Sequence, residues 1–408
     1  MRAEKPNVLT IVSWSFYDFA NTIFSMNVIS LYFALWVTVD KGGADILYSV
    51  ILSGSMLAVA LSVPVYGAIS DHTGRRRLPL AVLTLICVSA TAAIGFFDQL
   101  GVGLCLFFIA NYCYQSSMVF YNGMLPEVSR GANVGLVSGY GVALGYLGSV
   151  VGLLAVKPFV AEGGRLAAFI PTALMFFVFA LPCLIFNKDF SQKNVPKLQF
   201  GETFLVLKNT YREASKYKNL IKFVLIHFLI LDVVNTIVAF MAVYANKVIG
   251  FDDNQINTFM IIATLTAMLG SFGVGWLVKE KGNRISYWAV LILWAFVLLL
   301  AVFSQTEAMF WAVGPLAGIG MGGVWVVSRS FLIELAPKEK VGEFFGLYGL
   351  AGKMSSIFGP LIWGTVVWIF SSTETFKYRA AVFVLFLISC TGILFYKSLS
   401  KDLKALET

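Results

Sequence analysis

The chain alternates long apolar runs with short polar breaks over almost its whole length. Each run is long enough to cross a membrane as a helix, which needs about 20 mostly apolar residues. The runs fall near residues 8–39, 44–70, 78–97, 101–124, 134–157, 166–186, 219–249, 255–278, 286–304, 307–330, 344–370 and 377–397. This pattern predicts an all-α membrane protein with twelve transmembrane helices in two sets of six.

A polar, lysine-rich stretch separates the two sets of runs. We predict an N-terminal six-helix bundle at 1–186, a cytoplasmic linker at 187–218 and a C-terminal six-helix bundle at 219–408. Apolar residues recur at helical spacing within the linker, at Phe200, Phe204, Leu207 and Tyr211. This spacing suggests a short amphipathic helix on the membrane surface, although a solvated linker with scattered apolar residues explains it equally well.

The two halves repeat one another. Asp18-x-x-Asn21-Thr-Ile returns as Asp232-x-x-Asn235-Thr-Ile. Several other residues recur at near-constant offsets, pairing Pro126 with Pro337, Gly135 with Gly346, Gly141 with Gly352, Gly148 with Gly359, Gly67 with Gly275 and Gly74 with Gly282. Such repetition indicates a duplicated six-helix unit, with pseudo-symmetric halves related by an axis along the membrane normal, as in secondary transporters.

Charged residues inside the apolar runs are the first functional candidates. Asp18 lies roughly 15 Å inside its helix by helical rise, and Asp232 lies at a similar depth in the seventh run. A charge there is costly and usually faces a polar cavity or a partner. Since Asp and Asn three residues apart share a helical face, Asp18 with Asn21 and Asp232 with Asn235 suggest a substrate or proton path lined by both halves.

Two basic residues join these candidates. Lys353 lies near the depth of the two aspartates and needs a carboxylate partner or loses its proton, so the three form either a switchable network or a fixed ion pair. Arg329 lies near the cytoplasmic end of the tenth run. It either contacts the substrate or extends toward the lipid headgroups.

Composition and charge support a polytopic membrane protein. The chain is 58% hydrophobic and 13% charged, with mean hydropathy +0.81 and net charge +8, whereas soluble domains average about 25% charged residues. With both termini cytoplasmic, most basic residues face inward, as the positive-inside rule requires. Arg329 and Lys353 fall within or at the end of spans, and the residues that face outward are Lys41, Lys157, Arg165, Lys247, Lys377 and Arg379. We therefore expect a multi-pass protein of the bacterial inner membrane that does not bind nucleic acid.

No arrangement of residues suggests an enzyme, a metal site or a cofactor. All five cysteines lie in apolar runs and none forms a Cys-x-x-Cys pair, so neither a metal site nor a disulfide framework is indicated. His227 is a lone histidine, more typical of packing than of a proton relay. The first run is too long for a signal peptide and contains Asp18, so we expect no cleaved leader.

The loop after the second run carries a recognisable motif. Gly67-Ala-Ile-Ser-Asp71-His-Thr-Gly74-Arg75-Arg76-Arg resembles the G-x-x-x-D-x-x-G-R-[RK] signature of the major facilitator superfamily. The resemblance implies the major facilitator fold and a gating latch, in which Asp71 contacts the positive N-terminus of the eleventh helix near Gly342–Phe344. A basic turn that serves topology alone is the alternative. The second copy has Lys279 in place of Asp71, so a symmetric second latch is not expected.

A narrower resemblance covers most of the chain. The segments Trp14–Asn21, Tyr121–Glu127, Ser328–Ser330 and Phe344–Gly349 resemble the vacuole-effluxer-like branch of that superfamily, which is named for fungal vacuolar amino-acid exporters. The resemblance implies export of a solute. In this superfamily the first, fourth, seventh and tenth helices line the cavity, so Asn111 and Gln115 on the fourth run are candidates for a substrate wall. Hydrogen bonding between helices explains them almost equally well.

Together these features predict a secondary active transporter that works by alternating access. The expected substrate is a small polar or zwitterionic, amino-acid-like solute, with proton coupling through Asp18 or Asp232 and export favoured. The expected partners are the solute, protons and membrane lipids, and the expected state is a monomer. The alternatives are a lipid or lysolipid flippase of the same fold, a non-transporting sensor or scaffold, and, with no catalytic residues to support it, a membrane enzyme.

Overall fold

Every regular element in the described part of the chain is a helix. The computed structural model describes residues 7–73, 75–130, 134–187, 189, 217–337 and 341–405, without the side chains of 64, 68, 71–73, 134–136, 341–343 and 404–405. The helices are α1 (Val8–Phe24), α2 (Asp45–Thr73), α3 (Arg77–Ile94), α4 (Leu100–Gly123), α5 (Leu125–Val128), α6 (Val134–Gly163), α7 (Phe169–Phe186), α8 (Lys218–Tyr244), α9 (Asp253–Phe303), α10 (Glu307–Trp311), α11 (Val313–Leu335), α12 (Val341–Ile369) and α13 (Phe376–Ala405).

The predicted pattern of membrane-crossing helices is confirmed. Among the described residues, eleven helical segments are long and apolar enough to cross a membrane. One of them, α9, contains two predicted runs, because the backbone at Gly282 leaves the helical region with φ 79° and ψ 170°. Glycine reaches this conformation without steric cost since it lacks a Cβ atom. The twelve apolar runs are therefore accounted for.

The helices that carry the two repeated aspartates share an unusual continuation. Beyond Phe24, α1 continues through π-helical turns at Ser25–Tyr32 and Trp36–Asp40, and α8 continues through one at Ala245–Ile249. The wider π-type turns are rare in proteins, and those that do occur often lie near functional sites. The repeat seen in the sequence thus extends to the backbone.

The helices group into two compact units. The first contains Met1–Gly43 and Gly54–Phe204, and the second contains Ala44–Ser53 and Leu205–Thr408. The start of α2 therefore belongs to the second unit, where Tyr378 Oη donates to Asp45 Oδ2 at 3.1 Å. The predicted domain limits stay a prediction, and the predicted linker helix at Phe200–Tyr211 lies outside the described residues.

Each unit packs its aspartate-bearing helix tightly against a glycine-rich helix. In the first unit, a Cβ atom added at Gly148 of α6 would lie 2.8 Å from Phe19 Cα of α1. In the second, a Cβ atom added at Gly359 of α12 would lie 2.7 Å from the carbonyl oxygen of Asp232 of α8. Small residues allow helix backbones to approach closely in a membrane. The matched glycines thus fix the helix that carries each aspartate.

Candidate functional site

Asp18 in the first unit accepts hydrogen bonds on both carboxylate oxygens. Tyr121 Oη donates to Oδ2 at 2.8 Å, and Asn21 Nδ2 donates to Oδ1 at 3.1 Å. A Cβ atom added at Gly141 of α6 would collide with Oδ2, so glycine at this position leaves room for the carboxylate. The side chain is half-buried. The Asp18 carboxylate is therefore fixed by two hydrogen bonds while its side chain stays partly exposed.

Tyr121 is fixed in place by two aromatic rings of α1. Its ring stacks on Trp14 at 4.5 Å between centroids with an interplanar angle of 9°, and on Tyr17 at 4.9 Å with an angle of 26°. Trp14 Nε1 also donates to the Tyr121 carbonyl oxygen at 3.2 Å. Tyr17 Oη in turn donates to Ser117 Oγ at 3.0 Å. The hydroxyl that meets Asp18 is thus pre-oriented by packing.

Asp232 in the second unit has a different environment. Its side chain is 2% exposed, and within the described ranges its Oδ1 is buried without a hydrogen-bond partner. Asn235, which repeats Asn21, instead donates from Nδ2 to Ser355 Oγ at 3.0 Å and to Ser356 Oγ at 2.9 Å. The predicted Asp–Asn pair therefore forms a hydrogen bond in the first unit, whereas the second unit directs its asparagine to serines.

The sequence repeat supplies no hydroxyl donor for Asp232 at the position that corresponds to Tyr121. The offset that pairs Pro126 with Pro337 also pairs Tyr121 with Leu332. Leu332 lies on α11 and is fully buried, and a leucine side chain has no polar atom to offer a carboxylate. Asp18 therefore has a tyrosine donor for which the repeat offers no equivalent at Leu332.

Lys353 and Arg329 both belong to the second unit. Lys353 is half-buried on α12, where it shares a helical face with Ser356 three residues on. Arg329 is exposed on α11, and its guanidinium lies 5.9 Å from the ring centroid of Trp325. A cation within about 6 Å of an aromatic face is attracted to it. Stacking on Trp325 is thus a third possible role for Arg329, in addition to contact with the substrate and extension toward the lipid headgroups.

His227 lies in an aromatic stack that the sequence did not reveal. Its ring is fully buried and stacks on Tyr348 at 4.0 Å with an interplanar angle of 13°. The hydroxyl of Tyr348 shares a hydrogen bond with Ser328 Oγ at 2.8 Å. Neither ring nitrogen of His227 has a hydrogen-bond partner in the described part of the chain. The geometry matches the packing role that the sequence favoured.

The two polar candidates on the fourth predicted run differ in their surroundings. Asn111 is fully buried and donates from Nδ2 to Ser55 Oγ of α2 at 2.7 Å. This contact is a helix–helix hydrogen bond, the alternative that the sequence left open. Gln115 is half-buried one turn further along the same helix, and it stays a candidate for the substrate wall.

The predicted latch is only partly within the described residues. The side chain of Asp71 and all of Gly74 lie outside them, as do the side chains of residues 341–343, so the latch contact stays a prediction. Arg76 forms an ion pair with Glu127 and donates from Nε to Ser70 Oγ at 2.9 Å. Gly67 faces open space and Arg75 is exposed. Arg76 thus ties the start of α3 to α5 through Glu127 and to the end of α2 through Ser70.

The N-terminus of α3 is capped by a residue that the sequence did not single out. Asp189 Oδ1 accepts the backbone N–H groups of Arg76 at 2.8 Å and Arg77 at 2.7 Å. A carboxylate at a helix N-terminus satisfies otherwise unpaired donors and interacts favourably with the helix dipole. The loop between α2 and α3 is therefore also anchored by Asp189, which follows α7.

A family model supplies the identity that these features suggest. The model described as vacuole effluxer Atg22 like matches residues 43–134 and 132–405. The chain belongs to the vacuole effluxer Atg22-like family. This Atg22-like chain is 26% identical over 405 residues to YxiO, an uncharacterized MFS-type transporter of Bacillus subtilis, and the match covers 93% of this chain and 92% of YxiO.

Fungal and structural relatives agree with this assignment. Autophagy-related protein 22 of Kluyveromyces lactis is 25% identical over 318 residues, covering 70% of the Atg22-like chain and 63% of the fungal protein. The crystal structure of a point mutant of the nucleoside transporter NupG superposes with a TM-score of 0.80 at 11% identity, covering 96% of this chain and 99% of the mutant. The fold is that of the major facilitator superfamily, and the chain is a multi-pass integral membrane transporter.

Proposed function

We propose that this Atg22-like transporter moves a small polar or zwitterionic, amino-acid-like solute by alternating access, coupled to protons and in the direction of export. The observation that carries the proposal is the pair of intramembrane carboxylates. Helices α1 and α8 each hold one midway along their length. Asp18 accepts hydrogen bonds on both oxygens, whereas Oδ1 of Asp232 is buried without a hydrogen-bond partner among the described residues. Such residues inside a membrane generally mark ion or substrate pathways.

The polar groups of the two units suit a solute that carries both charges. A half-buried carboxylate held by Tyr121 and Asn21 attracts a cationic group such as a primary ammonium, since charge-assisted hydrogen bonds are the stronger kind. In the second unit Lys353 is half-buried on α12, and its ammonium group suits a solute carboxylate. The family description as an effluxer supports export.

Proton coupling follows from the cost of charge in the membrane interior. A carboxylate that is buried alone in one conformation and lies beside a cation in another binds a proton more tightly in the first than in the second. We propose that Lys353 pairs with Asp232 or Asp18 in one conformation and is released in another by protonation or by the solute. The protein acts as a monomer in the bacterial inner membrane, with both termini cytoplasmic and Arg76 in the cytoplasmic loop.

The test is solute flux in liposomes with and without a pH gradient. A thermal-shift screen of amino acids, peptides, sugars, nucleosides and lysolipids against the purified full chain first selects the solute. We expect a zwitterionic solute to stabilise the protein and to accumulate against its own gradient when protons flow the opposite way. Collapsing the pH gradient with a protonophore should abolish the accumulation, and protein-free liposomes provide the background.

Other results of this experiment would contradict the proposal. Accumulation that does not respond to the protonophore would exclude proton coupling. Movement of a lysolipid between leaflets without solute flux would identify a flippase. Ligand binding without any flux would identify a sensor.

A further inference from the structure

We propose that the two repeated aspartates have separate roles: Asp232 carries the exchangeable proton, and Asp18 stays ionised and holds the cationic group of the solute. This inference rests on the proposed transport function. It replaces the symmetrical role that the repeated sequence suggests with two different roles. The physical basis is the difference in hydrogen bonding and burial between the two carboxylates.

Asp18 is built to stay ionised. Both of its oxygens accept hydrogen bonds from groups that donate, the Tyr121 hydroxyl at 2.8 Å and the Asn21 amide at 3.1 Å. Hydrogen bonds to the charged form favour that form. Protonation would weaken these hydrogen bonds, because a neutral carboxyl group is a poorer acceptor than a carboxylate. Tyr121 is also clamped between Trp14 and Tyr17, so its hydroxyl is not free to turn away.

Asp232 is built to hold a proton in this conformation. Its Oδ1 is buried without a hydrogen-bond partner among the described residues, and the side chain is 2% exposed. A buried polar atom without a partner is costly, and an unpaired charge costs much more. Protonation removes the charge. The two groups that stabilise Asp18 have no equivalent here, because Asn235 is bonded to two serines and Leu332 replaces the tyrosine.

Among the ionisable groups near Asp232, we infer that one can stabilise its charged form and so release its proton. Toward the middle of α8 and of the helices packed against it these groups are His227, Arg329, Tyr348, Lys353 and Cys390, whereas Lys218, Lys222 and Tyr244 lie toward the ends of α8. Charging His227 would leave two buried N–H donors without acceptors among the described residues, and Arg329 is exposed beside Trp325. Lys353 on α12 is the half-buried cation. In the other conformation, Lys353 pairing with Asp232 would stabilise the carboxylate and send its proton to the aqueous side.

Infrared spectroscopy of the purified full chain in lipid tests the protonation state directly. The carbonyl band of protonated carboxylic acids is recorded at neutral and alkaline pH. We expect Asp232→Asn to remove one component of this band and Asp18→Asn to leave it intact. Because Asp45 is a second buried carboxyl, Asp45→Asn serves as the matched control that identifies any component belonging to it. Loss of the component in Asp18→Asn, or its survival in Asp232→Asn, would overturn the assignment.

Chemical labelling gives an independent readout. Dicyclohexylcarbodiimide adds the O–H of a protonated carboxyl across one C=N bond, so that the proton moves to nitrogen and no group leaves. Peptide mapping should find the adduct on Asp232 and not on Asp18, with labelling lost at alkaline pH. Tyr121→Phe should make Asp18 reactive, because it removes one donor. Labelling of Asp18 in the unaltered protein, or its continued absence in Tyr121→Phe, would contradict the proposal.

These readouts need no transported solute. If no solute flux is found but the spectra are as expected, the transport proposal is wrong and the assignment of the proton to Asp232 stands. If proton-driven flux is found but the infrared component belongs to Asp18, the transport proposal stands and the assignment of the proton to Asp232 is wrong.

Discussion

The close approach of helices in each unit predicts a measurable cost for adding a single methyl group. In Gly148→Ala the three atoms nearest to the new Cβ atom would all be backbone of α1, among them Phe19 Cα at 2.8 Å and Phe19 C at 2.9 Å. Backbone cannot turn away as a side chain can, so α1 and α6 must separate. Overpacking of this kind typically costs about 1–3 kcal/mol. Alanine recovers at most about 1 kcal/mol through its higher helix propensity.

Gly139 on the same helix provides the matched control. A Cβ atom added there would have no atom within 4 Å, so Gly139→Ala keeps only the gain in helix propensity. The two variants should therefore differ by roughly 1–3 kcal/mol in the free energy of unfolding. Gly359→Ala and Gly349→Ala form the equivalent pair in the second unit, because a Cβ atom meets the Asp232 carbonyl oxygen at 2.7 Å in the first case and nothing within 4 Å in the second.

Melting temperatures of the purified variants in one detergent measure this difference. We expect Gly148→Ala and Gly359→Ala to melt below the unaltered protein and their controls to melt at or above it. If Gly148→Ala melts no lower than Gly139→Ala, the helices do not approach as closely as the structure has them, and the packing argument fails.

Two further predictions concern contacts at the ends of helices. If the predicted latch forms, Asp71→Asn should weaken its contact with the helix N-terminus, which is worth about 0.3–1 kcal/mol, and shift the population severalfold toward the inward-open state. Unchanged cysteine accessibility in the cytoplasmic vestibule would count against it. Tyr378→Phe removes the 3.1 Å hydrogen bond to buried Asp45 and should cost about 1–3 kcal/mol in stability, whereas Tyr140→Phe, at an exposed tyrosine, should leave the melting temperature unchanged; equal melting of the two variants would refute the reasoning.

The membrane-crossing pattern was predictable because the lipid environment imposes it. Backbone groups inside a bilayer must bond within the helix, so spanning segments are long, apolar and visible in the sequence. The break at Gly282 was also marked, since Gly282 repeats Gly74 of the signature loop. The Asp18–Asn21 hydrogen bond followed from residues three apart on one helix. Each of these features depends on local sequence.

The asymmetry between the two aspartates was not predictable, because it depends on neighbouring helices. Asn235 has the same spacing from its aspartate as Asn21, yet serines on α12 receive its amide. Tyr121 was visible in the fourth run, but its role depends on the stacking with Trp14 and Tyr17 that aims its hydroxyl at Asp18. The repeat offset that pairs it with Leu332 was the one available indication, and it becomes meaningful only once the contact is known.

Gradient-driven flux in variants of the two aspartates is the most direct test of the account. Liposomes containing the full chain are loaded with a zwitterionic solute selected by the thermal-shift screen, and both uphill transport under a pH gradient and solute exchange without a gradient are recorded. Asp232→Asn should abolish uphill transport and keep exchange, because the solute still binds but no proton is carried. Asp18→Asn should weaken both, because the cationic group loses its carboxylate. Normal uphill transport with unchanged pH dependence in Asp232→Asn would contradict the account.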